Sequence, residues 1–400
     1  MNVQCVTLDN GAKLWTCPSQ NRDVYTSLWI PYGENNEPPK AHFIEHMTDR
    51  STRKRKAIDI KRASAGRGIG DGALTYQDRM NFWMMSPSDH AKTGIEILYE
   101  TFANDLFNPE EVELERNVVL GEYLGRVSNP SERIHIKVKQ ALGFAEETEQ
   151  GIRTVTPADL SKAKQKYFGG KHLSIGIAGG ISDDVVQVIN NTFGQLPPIG
   201  GDIHTFSQDG IDGTTESEEI DGISGYVDIG FLVPGIKHDD MYPLDFITHM
   251  LGGTRDEYGH GHRLHERIRD SGGLAYTLGA EYARYMGMGY LTLYAGDMEK
   301  GDVNRTAEIM LEELERVKEE DITEEEFERV RANLLVAERR DKHEGIEKVA
   351  KWLSLAGFYG IPWELEYFEQ QINTLSPRGI REVAKRWLNR PYTIKFIPRE

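Results

Sequence analysis

The chain has 400 residues, which is enough for two or three domains with substantial hydrophobic cores. Hydrophobic residues make up 38% of it and charged residues 28%, a composition typical of a globular protein that excludes a disordered one. The formal net charge of −17 argues against a nucleic-acid-binding protein and permits a field that attracts cationic ligands.

The N-terminal sequence, the hydropathy and the cysteine content together predict a cytoplasmic protein. Residues 1–8 lack the basic segment and apolar run of a signal peptide, and they are not rich in Arg and Ser as transit peptides are. No apolar run reaches the roughly 18 residues of a membrane-spanning helix. The two cysteines, Cys5 and Cys17, flank the turn of a predicted hairpin and are expected to stay free thiols.

The N-terminal half predicts a mixture of strands and helices. Residues 3–8 and 12–17 alternate in polarity around an Asn-Gly dipeptide, which is typical of a β-hairpin, and residues 24–31 predict a third strand. The later predicted elements are paired strands at 73–75 and 81–85, helices at 88–106, 110–125 and 157–168, a strand at 173–178 and a helix at 182–193.

Two segments of unusual composition precede the second strand pair. Residues 51–62 are rich in Lys and Arg, but Ala57, Ile58 and Ile60 interrupt the charges as the packed side of a short helix would. A solvated helix face is therefore favoured over a nucleic-acid-binding patch. The alternate glycines over residues 66–72 lack the spacing and the strand-to-helix context of a dinucleotide-binding motif.

The sequence His42-Phe-Ile-Glu45-His46 is the segment that most clearly suggests chemistry. On a helix the two histidines lie one turn apart on the same face, where two neutral imidazoles can bind one Zn²⁺. Glu45 lies near that face and can reach a metal-bound water without being a ligand. A hydrolytic zinc site needs one more protein ligand, and Glu115 and Glu122 share a face of the helix predicted at 110–125. The alternative is two unrelated surface histidines beside a carboxylate.

The second half of the chain repeats the first. Four segments recur in the same order: residues 28–31, 42–47, 110–114 and 154–157 match residues 231–234, 245–250, 325–329 and 374–377. A segment rich in Gly, Ser, Thr, Asp and Glu, over about residues 197–225, is predicted to link the halves. Each half is therefore predicted to be one α+β domain, with strands at both ends and helices between them.

The second copy has lost the residues that could bind a metal ion. The positions that match His42, Glu45, Glu115 and Glu122 are Asp245, Thr248, Val330 and Ala337. The repeat persists without these four side chains, which indicates that they serve chemistry in the first copy and not folding.

Over nearly its whole length the chain resembles the inverted-zincin metallopeptidases of the pitrilysin, insulin-degrading enzyme and mitochondrial processing peptidase family. The resemblance lies in residues 42–47, 108–122 and 269–276, and the length is that of a two-domain subunit. It implies a zinc-binding domain at residues 1–200, a linker at 201–224 and a homologous domain without the metal site at 225–400. Each domain would be a mostly antiparallel sheet packed with helices, in one half of a clamshell.

The resemblance also implies the roles of individual residues in a site with one Zn²⁺ per chain. His42, His46 and Glu122 would be the ligands, although Mn²⁺ or Co²⁺ would suit the same atoms. Glu45 would be the general base, and Glu115 would support the site from behind the ligands. In a dimer, Arg269 and Tyr276 would hold the substrate carbonyl at the partner's zinc.

The resemblance further implies that a peptide adds as a strand beside Gly72, Ala73, Leu74 and Thr75. The family usually has Asn-Ala where this chain has Gly72-Ala73, so one side-chain hydrogen bond to the substrate is missing here. Another departure is the histidine-containing loop after Gly253, with His260, His262 and His265, for which a polar insertion is favoured over a second metal site.

The favoured function is a zinc metalloendopeptidase that cleaves unfolded peptides or leader segments inside a dimeric chamber. The alternative is a non-catalytic structural or substrate-binding subunit paired with a related chain, which Gly72 favours and the intact motif opposes. A third hypothesis is a metal-binding or basic-patch protein without hydrolase activity. The net negative charge of the chain opposes it. The expected partners are peptide substrates and a second subunit, identical or related, with no nucleic acid and no membrane.

Overall fold

The structure, a computed structural model, describes residues 1–104, 106–207, 213–253 and 261–399. It divides into two compact units, each with one β-sheet, and the predicted α+β class is confirmed. Unit 1 comprises Met1–Tyr123, Glu146–His204 and Arg339–Leu365, and unit 2 comprises Leu124–Ala145, Thr205–Glu338 and Glu366–Glu400.

The sheet of unit 1 has six strands. They are β1 (Gln4–Thr7), β2 (Lys13–Pro18), β3 (Asp23–Ile30), β4 (Gly70–Thr75), β5 (Met80–Pro87) and β6 (Ser174–Gly179). Their order is β1-β2-β6-β3-β5-β4, with β2 and β6 parallel and the other neighbours antiparallel. Strand β4 lies at one edge of this sheet. The predicted N-terminal hairpin is confirmed, and both cysteines are free.

Helices from the first half of the chain surround this sheet or follow it. They are α1 (Lys40–His46), α2 (Ala57–Ala65), α3 (Ala91–Phe102), α4 (Pro109–Ser128), α5 (Pro130–Ala141), α6 (Glu149–Thr154), α7 (Pro157–Tyr167) and α8 (Asp183–Asn191). The predicted helix over residues 88–106 is shorter, because a 3₁₀ turn at Ser88–His90 precedes α3. The core of unit 1 lies between the sheet and α1, α3, α7 and α8, and includes Phe43, Phe82 and Phe102.

The sheet of unit 2 repeats the strand succession of unit 1. Its strands are β7 (Thr214–Ile220), β8 (Gly225–Pro234), β9 (Thr277–Arg284), β10 (Met288–Met298) and β11 (Tyr392–Pro398). The order β7-β11-β8-β10-β9 corresponds to β2-β6-β3-β5-β4, and β7 and β11 are the parallel pair, as β2 and β6 are. The predicted internal repeat therefore extends to strand order and direction.

The remaining helices are α9 (Met241–Leu251), α10 (Asp302–Glu319), α11 (Glu324–His343), α12 (Ile346–Tyr359), α13 (Leu365–Asn373) and α14 (Pro377–Trp387), with a π-helical turn at His265–Asp270. Among the described helices, none combines the length and the apolar character needed to cross a membrane.

The predicted linker contains a strand. Thr214–Ile220, within residues 201–224, forms β7 and pairs with β11. Most of its side chains are exposed, because it is an edge strand, so its sequence has no apolar alternation that would distinguish it from a loop. These residues are therefore a strand of unit 2 and not a loop, and residues 208–212 lie outside the described part. The assignment of residues 201–224 as the linker between domains stays a prediction.

Each unit contains one helix from the opposite half of the sequence. Helix α12 packs on β2, β3 and β6 of unit 1, and α5 packs on β8 and β11 of unit 2. The approach is close, since a Cβ added to Gly176 of β6 would overlap the carbonyl oxygen of Ala350. The compact units thus exchange segments across the predicted boundaries, and the assignment of domains to residues 1–200 and 225–400 stays a prediction.

Candidate metal centre

Helix α1 presents the two motif histidines because its other face is apolar. Ala41, Phe43 and Ile44 are buried in the core of unit 1, while His42 and His46 are half-buried one turn apart. With its apolar side fixed in this way, the helix directs both imidazoles to the same side.

Helix α4 supplies the carboxylates that meet these histidines. Val112, Glu115 and Val119 are its buried residues, which anchor one face against unit 1. Glu115 is almost fully buried, whereas the Glu122 side chain, two turns further on, is 49% exposed. The two acids share a helix face and lie in different environments.

Three potential ligand atoms converge between α1 and α4. The Nε2 atoms of His42 and His46 are 3.1 Å apart, and each is 3.3 Å from Oε2 of Glu122. A tetrahedral zinc ion with ligands at about 2.1 Å holds its ligand atoms about 3.4 Å apart. The donor set and its spacing therefore fit Zn²⁺ with one coordination position left over. No other group of three possible ligands occurs among the described residues.

Each histidine is held from behind by a buried glutamate. Nδ1 of His42 lies 3.2 Å from Oε2 of Glu147, and Nδ1 of His46 lies 3.0 Å from Oε2 of Glu115. Arg50 forms a close ion pair with the other oxygen of Glu115. Such carboxylate–histidine pairs fix the ring orientation and the tautomer that directs Nε2 to a metal.

These contacts also shift the proton affinities of the pair. Burial by itself would lower the pKa of His46, but the hydrogen bond with Glu115 and the charges of Glu122, Glu115 and Glu45 raise it overall. Burial would raise the pKa of Glu115, yet its hydrogen bonds with His46 and Arg50 lower it. Glu115 is thus an ionised partner that makes the His46 imidazole a stronger base.

Glu45 differs from the other acids of the centre in having no partner. No hydrogen bond or ion pair holds its carboxylate within the described chain, and the residue is half-buried next to His46. A carboxylate that is close to the ligands and unpaired is free to accept a proton.

Strand β4 contains the four residues predicted to bind a peptide. It bonds only to β5 among the described strands, so its other edge is unpaired. Gly72 lies opposite Trp83, and a Cβ at Gly72 would lie 2.9 to 3.0 Å from the indole ring. Trp83 therefore occupies the space that a larger side chain at position 72 would need.

The second predicted substrate pair lies in unit 2. The Arg269 guanidinium carbon is 5.0 Å from the centre of the Tyr276 ring, and Tyr276 is 72% exposed. The structure thus brings these two side chains together, in a different unit from the histidines. Of the three histidines after Gly253, His262 and His265 are buried, the latter at the start of the π-helical turn, while His260 lies outside the described residues.

Comparison with known proteins identifies the family. The model described as Insulinase (Peptidase family M16) matches residues 17–151, and the model described as Peptidase M16 inactive domain matches residues 154–334. The chain belongs to the M16 peptidase family. The predicted resemblance to this two-domain family is confirmed, and membership supports a peptidase-like function.

Several relatives named as zinc proteases align over most of the chain. A Bacillus subtilis protein named "Uncharacterized zinc protease YmxG" is 24% identical over 77% of this chain and 76% of its own length. A Streptomyces coelicolor protein named "Uncharacterized zinc protease SCO5738" is 22% identical over 99% of this chain and 89% of its own.

Solved structures share the fold at lower identity. A protease from Helicobacter pylori has a TM-score of 0.86 at 20% identity and covers 99% of both chains. A peptidase M16 inactive domain from Pseudomonas fluorescens has a TM-score of 0.88 at 17% identity, with 100% of this chain and 98% of the other covered. The two-domain M16 fold therefore extends over the whole chain.

Two residues of the centre, Glu147 and Arg50, were missed by reasoning from the sequence. Glu147 follows Glu146 in an acidic stretch before α6, where it is indistinguishable from a solvated surface acid. Arg50 directly precedes the basic segment 51–62, which the sequence predicts to be a solvated helix face. Both are brought to the histidines only by the packing of unit 1.

Proposed function

We propose that this chain is a zinc metalloendopeptidase, with His42, His46 and Glu122 as ligands of one Zn²⁺. The observation that supports this most directly is the convergence of two Nε2 atoms and one carboxylate oxygen at mutual distances of 3.1 to 3.3 Å. A structural zinc site would need a fourth protein ligand, whereas three ligands leave the position that hydrolysis requires. The Glu122 side chain is half-exposed, so a metal held by these three residues would be accessible to a substrate.

The proposed chemistry divides between the metal and the side chains. Bound zinc supplies a Lewis acid that lowers the pKa of a water. Glu45 takes the proton from the attacking water and later gives it to the leaving amine. Glu115 and Glu147 orient the imidazoles, and Arg50 keeps Glu115 ionised.

The proposed substrate is an unfolded peptide or leader segment that adds to the unpaired edge of β4. Backbone hydrogen bonds along Gly72, Ala73, Leu74 and Thr75 would hold it with little dependence on sequence. In a homodimeric chamber the stacked Arg269 and Tyr276 would hold the carbonyl of the substrate at the partner's site. The exposure of Tyr276 supports a role in contact with a ligand.

The substitution Glu45→Gln tests the mechanism. It should keep one zinc per chain by metal analysis and lose peptide cleavage by about a hundredfold or more, because only the proton acceptor is removed. Glu110→Gln on the exposed start of α4 is the matched control and should keep both zinc and activity. Full cleavage by Glu45→Gln would contradict the proposed role of this residue.

A second candidate is a non-catalytic subunit that binds substrates for a related chain. Gly72 favours it, since the side-chain hydrogen bond expected from the family's asparagine is absent. The purified chain alone separates the candidates: cleavage of an unstructured peptide that a chelator abolishes supports the peptidase. The alternative is supported if the chain alone binds stoichiometric zinc but cleaves nothing, and cleavage appears when a related subunit is added.

A further inference from the structure

The segment that carries Glu147 continues into a short helix whose position depends on tertiary contacts. Helix α6 has six residues, and isolated helices shorter than about 12 residues are marginal in water. Its N-cap residue Thr148 directly follows Glu147 and accepts a hydrogen bond from the backbone N–H of Gly151. Ile152 of α6 is fully buried in the core of unit 1. The direction from which Glu147 meets His42 therefore depends on what holds α6 in place.

Arg116 of α4 binds the C-terminal end of α6. Its Nη1 donates a hydrogen bond to the carbonyl oxygen of Ile152 at 2.5 Å, and its Nη2 donates one to the carbonyl oxygen of Val155 at 2.7 Å. A helix leaves the carbonyls of its last turn without helical partners, and a cation near this end is favourable. The Arg116 side chain is only 14% exposed, and its Nε donates to Glu113 within α4.

Arg116 also contacts the motif helix. Its guanidinium carbon lies 5.6 Å from the centre of the Phe43 ring, and Phe43 is the fully buried residue next to His42 in α1. Helix α6 approaches the start of α1 as well, since a Cβ added to Gly151 would lie 3.2 Å from Cδ of Pro39. One guanidinium group of α4 thus contacts both α6 and α1.

Helix α4 supports the two histidines by separate routes. Glu115 contacts His46 directly, whereas the next residue, Arg116, reaches His42 through α6 and Glu147. The second route needs a planar guanidinium group, because two of its nitrogens donate to two different carbonyl oxygens. A lysine ammonium group is a point charge and does not reproduce this geometry.

We infer that Arg116 is a positioning residue of the metal centre, which holds Glu147 against His42 by fixing α6. The inference rests on the proposed function, in which His42 is a ligand of zinc, and adds a residue that acts on this ligand alone. Without Arg116, His42 loses the fixed partner that directs its Nε2 towards the metal position. The pair of His46 and Glu115 stays as it is.

Zinc affinities in a double-mutant cycle test this route. Arg116→Gln should weaken zinc binding by about tenfold, the lower end of the range for groups behind a metal ligand. The same change should cost nothing more in a Glu147→Gln background and its full tenfold in a Glu115→Gln background, which affects the other histidine. Arg153→Gln, at an exposed arginine of α6 that pairs with Glu149, is the matched control and should bind zinc as the wild type does. Losses of Arg116→Gln and Glu147→Gln that multiply would overturn the inference.

Histidine tautomers in the metal-free chain give a second readout, independent of cleavage. Nuclear magnetic resonance of chains with nitrogen-15 histidine, at a pH where both rings are neutral, should show the proton of His42 on Nδ1 in the wild type. Arg116→Gln should give a mixture of tautomers at His42, while His46 keeps its proton on Nδ1. Arg116→Lys, which keeps the charge and most of the packing, should give the same mixture and serves as the second variant.

The two readouts separate this inference from the peptidase proposal. An unchanged tautomer of His42 in folded Arg116→Lys would overturn the positioning role, whether or not the wild type cleaves peptides. A chain that shows the tautomer change and the non-additive zinc affinities, but cleaves no peptide, would overturn only the peptidase.

Discussion

At the scale of single residues, the carboxylates of the centre differ in burial and in whether they have a partner. Glu115 is buried and paired, Glu122 is half-exposed at the ligand position, and Glu45 is adjacent and unpaired. Sequence alone separates Glu45 from the other two because it lies within the motif. The helix pattern by itself cannot rank Glu115 against Glu122, because both share a helix face, and only the family resemblance assigned Glu122 as the ligand. Their difference in burial depends on how deeply α4 packs.

Glu115→Gln should weaken zinc binding by about ten- to a hundredfold, since the partner that orients His46 is lost and Arg50 is left unpaired. Competition with a chromogenic chelator measures the affinity. Glu110→Gln, exposed at the start of the same helix, should bind zinc as the wild type does. Unchanged affinity in Glu115→Gln would show that His46 needs no carboxylate partner.

The raised pKa of His46 predicts how zinc binding depends on pH. Zinc needs the neutral imidazole, so affinity should fall as the pH drops through a value above the ordinary 6.5 of histidine. Because the hydrogen bond with Glu115 raises that pKa, the decline in Glu115→Gln should begin at a lower pH. Zinc titrations between pH 5 and 8 of both chains measure the shift, and coincident profiles would contradict it.

At the scale of secondary-structure elements, the second unit shows what α1 looks like without a metal. Helix α9 carries Asp245 where α1 carries His42, and Arg284 pairs closely with it in a buried position. Val330 and Ala337 of α11 are buried where α4 has its two acids. In the second copy, an ion pair and apolar side chains therefore occupy the positions that match His42, Glu115 and Glu122. This is expected if the first copy retains those three side chains for chemistry.

The edge strand β4 and its neighbour β5 are fitted to each other at Gly72. Gly72→Asn should lower the stability by about 1 to 3 kcal/mol, because the new side chain meets the Trp83 ring. Combining it with Trp83→Val should recover part of that loss and offer the amide to a peptide. Thermal unfolding and peptide affinity measure the two effects. Equal melting temperatures of wild type and Gly72→Asn would contradict the predicted clash.

The close approach of α12 to β6 makes Gly176 sensitive to substitution. Gly176→Ala should destabilise the protein by several kcal/mol, about the 2 to 5 kcal/mol typical of severe core changes, because backbone atoms of α12 leave no room for a methyl group. Gly125→Ala in α4 is the matched control. It faces open space and should stabilise the protein by about 0.5 to 1 kcal/mol. Urea unfolding measures both free energies of unfolding. An unchanged free energy of unfolding in Gly176→Ala would contradict the tight packing of α12 on β6.

At the scale of the whole molecule, the repeat was predictable and the exchange of helices was not. Sequence matches such as residues 42–47 with 245–250 show that two copies exist, and the strand orders agree. Nothing in the amphipathic pattern of α5 or α12 says which sheet each helix covers, because either sheet offers an apolar face. The polar strand β7 escaped prediction for a related reason, since its partner β11 lies far along the chain.

The exchange predicts how fragments of the chain behave. Residues 1–204 alone lack α12, and residues 205–400 alone lack α5, so each fragment exposes an apolar sheet face. Neither should show a cooperative unfolding transition, whereas a mixture should regain one. Near-ultraviolet circular dichroism and size-exclusion chromatography measure this. A cooperatively folded 1–204 fragment would contradict it.

The long separation in sequence between α1 and α12 has a consequence for biosynthesis. Within the part of the chain that the structure describes, α12 (residues 346–359) covers the other side of the sheet against which the motif helix packs. While a ribosome still holds those residues in its exit tunnel, the nascent polypeptide has both histidines and Glu122 but an uncovered sheet. The unit that carries the candidate metal centre is therefore completed only after α12 has emerged, so a product truncated before residue 346 would lack part of the fold that supports this centre.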